Sequence, residues 1–235
     1  MNVFKIENKT VSVYPGMNAG APMIYLHTFA GEGEQVHRIL TEKNHTNRTL
    51  VAISGLDWNH DMAPWDVSPV FKNNAPLTGG ADAYLSILTK EIMPEVEKQM
   101  AAKPAWRGLA GYSLAGLFAV YSIYHTDLFS AIASVSGSLW YPNIMDYLFS
   151  HNMKRVPDFM YFSLGDKEHK TRNPFLKTVR KNTIEAEEFY RSQGIKTVFQ
   201  MNPGNHYQDP AARTAAGIAW LLANKTILHS AIKNP

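Results

Sequence analysis

Residues 111–116 read Gly-Tyr-Ser-Leu-Ala-Gly, and they stand where an apolar, strand-like run gives way to a helix-like run. The pattern is that of a nucleophile elbow, Gly-x-Ser-x-Gly, in which a strained turn presents a serine at the end of a strand. Small residues two before and two after the serine let the turn pass close to the neighbouring strand and helix. Ala115 takes the second small position. The segment therefore predicts a strand–turn–helix unit that exposes Ser113 as a nucleophile.

Strand-like runs alternate with helical patterns on both sides of this unit, which favours a mostly parallel sheet. Candidate strands, most of them near-continuously apolar, are 3–6, 10–14, 23–27, 50–54, 106–112, 131–136, 159–164 and 197–201. Candidate helices are 33–42, 81–102 with a kink or break at Pro94, 114–124, 144–150, 174–193 and 210–227. Apolar strands of this kind are covered on both faces. We expect one α/β domain over residues 1–235, with a mostly parallel central sheet and helices on both faces.

Composition and charge narrow the class of protein. The 235 residues are 45% hydrophobic and 18% charged, as in ordinary globular proteins. The chain has no cysteine, which excludes disulfides, thiolate metal sites and a cysteine nucleophile. A formal net charge of +3 does not indicate a nucleic-acid partner. No apolar run reaches about 18 residues and the start lacks a signal-peptide pattern, so we expect a cytoplasmic protein that does not bind membranes.

Two later loops supply the partners that a nucleophilic serine needs, in the chain order Ser, acid, His. The first loop, Gly-Asp-Lys-Glu at 165–168, follows the strand predicted at 159–164. The second, Asn-Pro-Gly-Asn-His at 202–206, follows the last predicted strand, and His206 is the only histidine in such a position. The sequence therefore predicts His206 as the general base.

The orienting acid has two candidates, because Asp166 and Glu168 are two residues apart and only one normally faces the imidazole. We favour Glu168, since a Gly-x-x-acid spacing lets the chain turn before it presents the carboxylate. Asp166 is the alternative, and it would otherwise brace the loop by accepting backbone N–H groups. His27, at the end of an early strand, is expected to be a hydrogen-bonded scaffold residue.

Attack on a carbonyl carbon creates an oxyanion, which two backbone N–H groups can stabilise. One donor is expected to be Leu114 N–H, directly after the serine. The other is expected in the loop after the strand at 23–27, where Phe29 is favoured and Thr28 is the alternative.

Tryptophans mark the predicted substrate pocket. The long irregular segment 55–80 contains Trp58 and Trp65, and Trp140 follows the strand next to the elbow. Ligands of open α/β sheets bind at the carboxyl ends of the strands, so Trp58 and Trp140 are predicted to line the pocket. Trp65 is expected to pack within its loop, and Trp106 and Trp220 within the core.

Metal and cofactor sites are not predicted. Potential ligands occur close together at Asp57, His60, Asp61 and Asp66, but they lack the regular spacing of a metal site. A homodimer is compatible with the sequence.

With the elbow and both loops in place, the chain resembles the putative-esterase family of α/β-hydrolases over about residues 22–222. That family includes esterase D-like enzymes, siderophore esterases, feruloyl and acetyl xylan esterases, and mycolyltransferases. Residues 134–141, Ser-Val-Ser-Gly-Ser-Leu-Trp-Tyr, are similar to its Ser-Pro-Ser-x-Trp-Trp segment. Residues 79–85, Gly-Gly-Ala-Asp-Ala-Tyr-Leu, are similar to its Gly-Gly-Ala-Asp-x-Phe-Leu helix start.

The resemblance implies a serine esterase that forms an acyl-enzyme without metal or organic cofactor, and the expected partner is a small-molecule ester. Three positions differ from the family pattern. Ala115 replaces a glycine, Thr28 stands where many relatives have glycine, and Gly137 stands where siderophore esterases have proline. Two alternatives remain open, which are an acyltransferase acting on an alcohol or sugar and, from a different class, a non-catalytic binding protein with a hydrolase fold.

Overall fold

A computed structural model describes residues 1–70 and 75–232. The strands are β1 (Asn2–Ile6), β2 (Lys9–Tyr14), β3 (Met23–His27), β4 (Thr49–Ser54), β5 (Asp66–Val67), β6 (Leu77–Thr78), β7 (Arg107–Tyr112), β8 (Ala131–Val135), β9 (Phe159–Gly165) and β10 (Lys196–Asn202). The α-helices are α1 (Gly33–Glu42), α2 (Trp58–Asp61), α3 (Ala81–Ile87), α4 (Met93–Lys98), α5 (Leu114–Ser122), α6 (Ile144–Ser150), α7 (Val179–Ser192) and α8 (Pro210–Ile232).

Eight strands form one sheet in the order β1-β2-β4-β3-β7-β8-β9-β10. The pairs from β4 to β10 are parallel, and β1 and β2 are added antiparallel at one edge. Strands β3 and β8 are buried along their whole length, because helices cover both faces of the sheet. The prediction of a mostly parallel sheet inside an α/β fold is confirmed.

Each face of the sheet has its own apolar core. One core contains buried side chains of α3, α4 and α5, and includes Phe118 and Phe162. The other lies under α1 and α8 and includes Val36, Leu40 and Ile218. Helix α1 buries Val36 and Leu40, which are four residues apart and therefore share one face of the helix. Both faces are thus closed by helices, and the carboxyl ends of the strands are left for loops.

The helix predicted at 81–102 ends at Lys98 and contains a π-helical turn, Leu88–Ile92, between α3 and α4. Pro94 lies two residues after this turn, as the second residue of α4. Proline has no N–H for an i−4 carbonyl and its ring crowds that carbonyl, so the wider turn accommodates it within a continuous helical run. The irregularity expected at Pro94 therefore takes the form of a π-helical turn.

Other predicted boundaries differ by a few residues. The strand expected to reach Ser136 ends at Val135, because Ser136 has φ of 44° and leaves the extended conformation. The helix predicted at 174–193 is a 3₁₀ turn, Leu176–Thr178, followed by α7. Within the described ranges, no helix is long and apolar enough to cross a membrane.

The segment predicted as irregular, 55–80, contains helix α2 and the two-stranded ribbon of β5 and β6; residues 71–74 lie outside the described residues. A buried ion pair, Lys9 Nζ to Asp61 Oδ2 at 3.0 Å, joins α2 to β2. Trp65 Nε1 donates to the carbonyl oxygen of Pro142 at 3.2 Å. These contacts hold the segment against the sheet beside the loop that follows β8.

Candidate active site

Ser113 occupies a strained turn between β7 and α5. Its φ of 61° and ψ of −125° lie outside the regions that L-residues usually adopt. A Cβ on Gly111 would lie 2.6 Å from the Cβ of Ala115 and against its carbonyl group. A Cβ on Gly116 would lie 3.0 Å from the Cα of Gly137. The turn is therefore closed by glycines at 111 and 116, and the methyl group of Ala115 fits because Gly111 has no side chain.

Three predicted side chains form one hydrogen-bonded row. His206 Nε2 lies 3.0 Å from Ser113 Oγ, and His206 Nδ1 lies 2.7 Å from Glu168 Oε2. A carboxylate only accepts hydrogen bonds, so the imidazole proton sits on Nδ1 and Nε2 accepts from the serine. The structure thus brings together residues of three separate loops, all at the carboxyl edge of the sheet.

Glu168 is buried, with 4% of its side chain exposed. Its second oxygen, Oε1, accepts from Gly165 N–H at 2.6 Å, from Ser136 Oγ at 2.8 Å and from Arg213 Nη1 at 3.3 Å. Burial alone would raise the pKa of this carboxyl group. The hydrogen bond and charge of His206, with the Gly165 and Ser136 bonds, outweigh burial and hold the pKa below its usual value.

Asp166 has the bracing role that was expected if Glu168 faces the imidazole. Its Oδ1 accepts from Gly204 N–H at 2.7 Å, and its own N–H donates to Asn202 O at 2.8 Å. Both contacts join the loop after β9 to the loop that carries His206. Glu168, not Asp166, contacts the imidazole.

The candidate oxyanion donors are the backbone N–H groups of Leu114, Phe29 and Thr28, and they differ in whether they already have a hydrogen-bond acceptor. Leu114 is the first residue of α5, so its N–H belongs to the helix end that has no intrahelical acceptor. Thr28 N–H donates to Ile53 O at 2.9 Å and is therefore occupied. Phe29 N–H has no acceptor among the described residues. Of the two candidates in this loop, Phe29 has the available donor.

A cavity of about 710 Å³ opens at Ser113. Trp58 and Trp140 both line it, and the exposed ring of Phe29 meets Trp58 edge-on at 5.2 Å between centroids. Apolar walls are completed by Val70, Leu77, Leu176 and Val179, and the polar residues at the cavity include Lys167, Asn205 and Tyr207. The cavity suits an ester with an apolar portion.

The other tryptophans are structural. Trp65 packs edge-on against Tyr121 of α5 and against Tyr141, so it joins its loop to other elements and does not pack within it. Trp106 is buried. Trp220, expected in the core, is only half buried and packs at the edge of the core under α8, against Phe159 and Tyr161.

The prediction that His27 is hydrogen-bonded is wrong. Both ring nitrogens are buried and have no hydrogen-bond partner among the described residues. The ring lies edge-on between Tyr84 and Phe118, at 5.3 and 5.1 Å. Burial lowers the pKa of His27 to about 3, so the side chain is neutral. It acts in the structure as an apolar packing residue beside the loop that follows β3.

Sequence reasoning missed the residues that surround the row. Ser136 contacts Glu168, and Ser138 Oγ lies 3.4 Å from Ser113 Oγ. Both belong to residues 134–141, the segment after β8 that is similar to the family's Ser-Pro-Ser-x-Trp-Trp pattern. Their position in that pattern could have identified them as site residues. Arg213, in α8, and Tyr112 gave no such signal, because a single arginine in a helix and a tyrosine in a strand are common.

A serine elbow at the carboxyl edge of a mostly parallel sheet is the arrangement of the α/β-hydrolases. The model of the family described as "Putative esterase" matches residues 10–211. The chain belongs to that family, and it is a carboxylic-ester hydrolase.

Individual relatives are distant in sequence. The protein is 22% identical to the uncharacterized protein YbbA of Bacillus subtilis over 189 residues, which cover 77% of this chain and 76% of YbbA. Siderophore hydrolase EstB from Aspergillus nidulans has a similar structure, with 17% identity, a TM-score of 0.76 and 94% of each chain covered. An IroE-like serine hydrolase from Shewanella oneidensis has 18% identity and a TM-score of 0.75, covering 92% of this chain and 76% of its own. These structures share the fold.

Proposed function

We propose that the protein hydrolyses a small-molecule carboxylic ester through an acyl-enzyme intermediate, with Ser113 as nucleophile, His206 as general base and Glu168 as orienting acid. The observation that carries the proposal is the row from Ser113 Oγ through His206 to Glu168, with contacts of 3.0 and 2.7 Å. Such distances let the base take the serine proton as the hydroxyl attacks.

The reaction begins when Ser113 Oγ attacks the ester carbonyl carbon and His206 Nε2 accepts the hydroxyl proton. Glu168 stabilises the imidazolium that forms and keeps the proton-bearing Nδ1 in place. The N–H groups of Leu114 and Phe29 are the proposed donors to the oxyanion. His206 then returns the proton to the leaving alcohol. Water, activated by the same imidazole, hydrolyses the acyl-enzyme.

The substrate portion of the proposal depends on the cavity. Its aromatic walls at Trp58 and Trp140 suit an acyl or alcohol group with an apolar face. Acyl transfer to an alcohol or sugar would proceed from the same intermediate and stays a prediction. A non-catalytic scaffold would place Ser113 and His206 far apart, whereas their side chains lie at hydrogen-bond distance.

Labelling with a fluorophosphonate tests the nucleophile. We expect the wild type to be labelled on Ser113, because the activated hydroxyl displaces the leaving group at phosphorus. Ser113→Ala is expected to remain unlabelled and to lose about 10⁴-fold or more in kcat/KM on a p-nitrophenyl ester. Mass spectrometry of the tryptic peptides and initial-rate kinetics provide the two measurements.

Ser138→Ala is the matched control, since Ser138 is a buried serine hydroxyl only 3.4 Å from Ser113 Oγ. It is expected to take the label at Ser113 as the wild type does. Label on Ser113→Ala, or loss of label only in Ser138→Ala, would reject Ser113 as the nucleophile.

A further inference from the structure

Arg213 is a buried cation at the start of α8, with 5% of its side chain exposed. A buried charge is costly unless it is paired and hydrogen-bonded. The charge of Arg213 is compensated by Glu168, whose Oε1 lies 3.3 Å from Nη1. The protein therefore keeps a guanidinium behind the carboxylate that contacts the proposed base.

The same guanidinium joins three segments of the site. Nη1 contacts Glu168 Oε1 and Tyr112 OH, both at 3.3 Å, and Nη2 donates to Pro203 O at 2.7 Å. Glu168 belongs to the acid loop, Pro203 to the loop that carries His206, and Tyr112 to the end of β7. Only an arginine offers several N–H donors in one rigid plane for such a set of acceptors.

Tyr112 continues the connection to the base. Its OH donates to the carbonyl oxygen of His206 at 2.6 Å, and it accepts from Arg213. Burial raises the pKa of Tyr112, which keeps the phenol protonated as a donor. The tyrosine directly precedes Ser113 in the chain. Its contacts with Arg213 and His206 therefore link the backbone at the nucleophile to the backbone at the base.

Arg213 is not among the described residues that line the cavity, although its neighbours Ala211 and Thr214 are. Among the described residues, its guanidinium makes no hydrogen bond to Ser113 Oγ or to the imidazole. Any effect on the reaction must pass through Glu168, Tyr112 and the His206 loop.

We propose that Arg213 is a positioning residue that, together with Tyr112, holds Glu168 and His206 in the orientation in which Nε2 faces Ser113. The inference rests on the proposed function. Without the guanidinium, Glu168 Oε1 loses one of its three donors, the His206 loop loses the bond at Pro203 O, and the Tyr112 hydroxyl loses its donor. The imidazole then samples orientations in which Nε2 does not accept the serine proton.

The test compares Arg213→Met, Arg213→Lys and Tyr112→Phe with the wild type. Misplacement of a catalytic group by about 1 Å costs about 10²-fold in rate, so Arg213→Met is expected to lower kcat/KM by about that factor with KM little changed. Arg213→Lys should recover only part of the lost kcat/KM, because an ammonium donates from a single nitrogen atom. Tyr112→Phe should lose about fivefold, since one hydrogen bond is worth about 1 kcal/mol.

A spectroscopic reading separates positioning from general stability. The His206 Nδ1 proton, held 2.7 Å from the carboxylate oxygen, should give a far-downfield proton resonance in the wild type. We expect the resonance to move or broaden in Arg213→Met and Tyr112→Phe. The control is Arg48→Met, which removes another buried arginine whose Nη2 donates to His37 O at 2.9 Å, before β4 and away from the strand ends that form the site.

Arg48→Met should lower the melting temperature while kcat and the downfield resonance stay as in the wild type. A folded Arg213→Met that keeps kcat/KM within about threefold of the wild type overturns the inference, as does an unmoved resonance. If Arg213→Met does not fold, Tyr112→Phe decides by the same two measurements.

Ser113→Ala and His206→Ala are assayed alongside. Activity retained in those two overturns the proposed function itself, whereas activity lost in them but kept in Arg213→Met overturns only the role of Arg213.

Discussion

Glu168 and Asp166 show how two carboxylates in one loop acquire different environments. Glu168 N–H donates to Gly165 O at 3.1 Å, which closes a turn and directs the glutamate back toward the strand end. A Cβ on Gly165 would lie 2.9 Å from Glu168 Oε1 and against the carbonyl oxygen of Gly204. Glycine at 165 therefore lets the acid loop and the base loop touch, with Glu168 inside the contact and Asp166 bracing its edge.

Replacing each carboxylate by its amide tests this division at the residue scale. Glu168→Gln is expected to lower kcat by about 10³- to 10⁴-fold, because a neutral amide neither fixes the imidazole tautomer nor stabilises the imidazolium. Asp166→Asn keeps an oxygen that accepts from Gly204 N–H, so it should lose less than about tenfold. Steady-state kinetics on one ester measure both.

Thermal unfolding of the two variants provides the control that each remains folded at the assay temperature. The assignment of the acid would be reversed by a large loss in Asp166→Asn with little change in Glu168→Gln.

At the scale of an element, the turn from β7 to α5 depends on which of its small residues is glycine. The departure at Ala115 is accommodated because the crowded position is Gly111, whose missing side chain leaves room for the Ala115 methyl group. Gly116 and Gly137 approach each other closely on the other side of the turn. The strained φ of Ser113 persists because these backbone contacts surround it.

Gly111→Ala is expected to destabilise the fold by about 2–3 kcal/mol, because the new Cβ cannot be placed without moving the Ala115 backbone. The same shift displaces Ser113, so activity should fall with stability. Ala115→Gly restores the family residue and serves as the matched variant. It should cost only about 1 kcal/mol, as glycine does in a helix, and retain activity.

Urea unfolding gives the free energy of unfolding for both variants, and kcat/KM gives the effect on the site. Equal losses from the two substitutions would show that Gly111 is not the crowded position.

At the scale of the whole molecule, one buried histidine makes stability depend on pH. His27 ends the central strand β3, is 1% exposed, and has burial as the cause of its pKa near 3. The unfolded chain binds a proton at His27 below about pH 6.5, while the folded protein does not. Lowering the pH through this window therefore favours the unfolded state, and the stability present above pH 6.5 is lost progressively toward pH 3.

His27→Leu is expected to remove this dependence, because leucine has no proton to bind. One proton corresponds to about 1.4 kcal/mol per pH unit, so between pH 6.5 and 5 the wild type should lose about 2 kcal/mol more than the variant. Urea unfolding across that range measures the difference. The range lies above the pH at which the carboxyl group of Glu168 titrates in the unfolded chain.

His151→Gln is the control, since His151 is exposed. It should follow the wild-type pH dependence. A His27→Leu variant that loses stability as steeply as the wild type would mean that His27 is protonated in the folded protein.

The sequence predicted the central strands and the helices that follow them, because their apolar runs and helical periodicity are local properties. It predicted less well those features that depend on contacts with distant parts of the chain. Helix 81–102 was expected to kink or break at Pro94, and instead it passes through a π-helical turn. His27 was expected to find a hydrogen-bond partner, and instead it packs between Tyr84 and Phe118. The extent of the domain and a homodimer stay predictions.

The candidate site also has features that the sequence predicted and features that it did not. The chain order of Ser113, an acid and His206, each in a loop after a strand, was readable because parallel strands bring their carboxyl ends to one edge. The choice of Glu168 followed from its spacing after Gly165. The contacts of Ser136 with Glu168 and of Tyr112 with His206 were not readable, since they join residues 32 and 94 positions apart.

The sequence by itself determined the class of fold, the elbow at residues 111–116 and the order of the residues that meet there, since each depends on neighbours in the chain. Only the tertiary structure decided that Arg213 pairs with Glu168, 45 positions away, and that the ring nitrogens of His27 have no partner among the described residues. Burial and charge pairing depend on how separate elements pack around a side chain. No local pattern of residues carries that information.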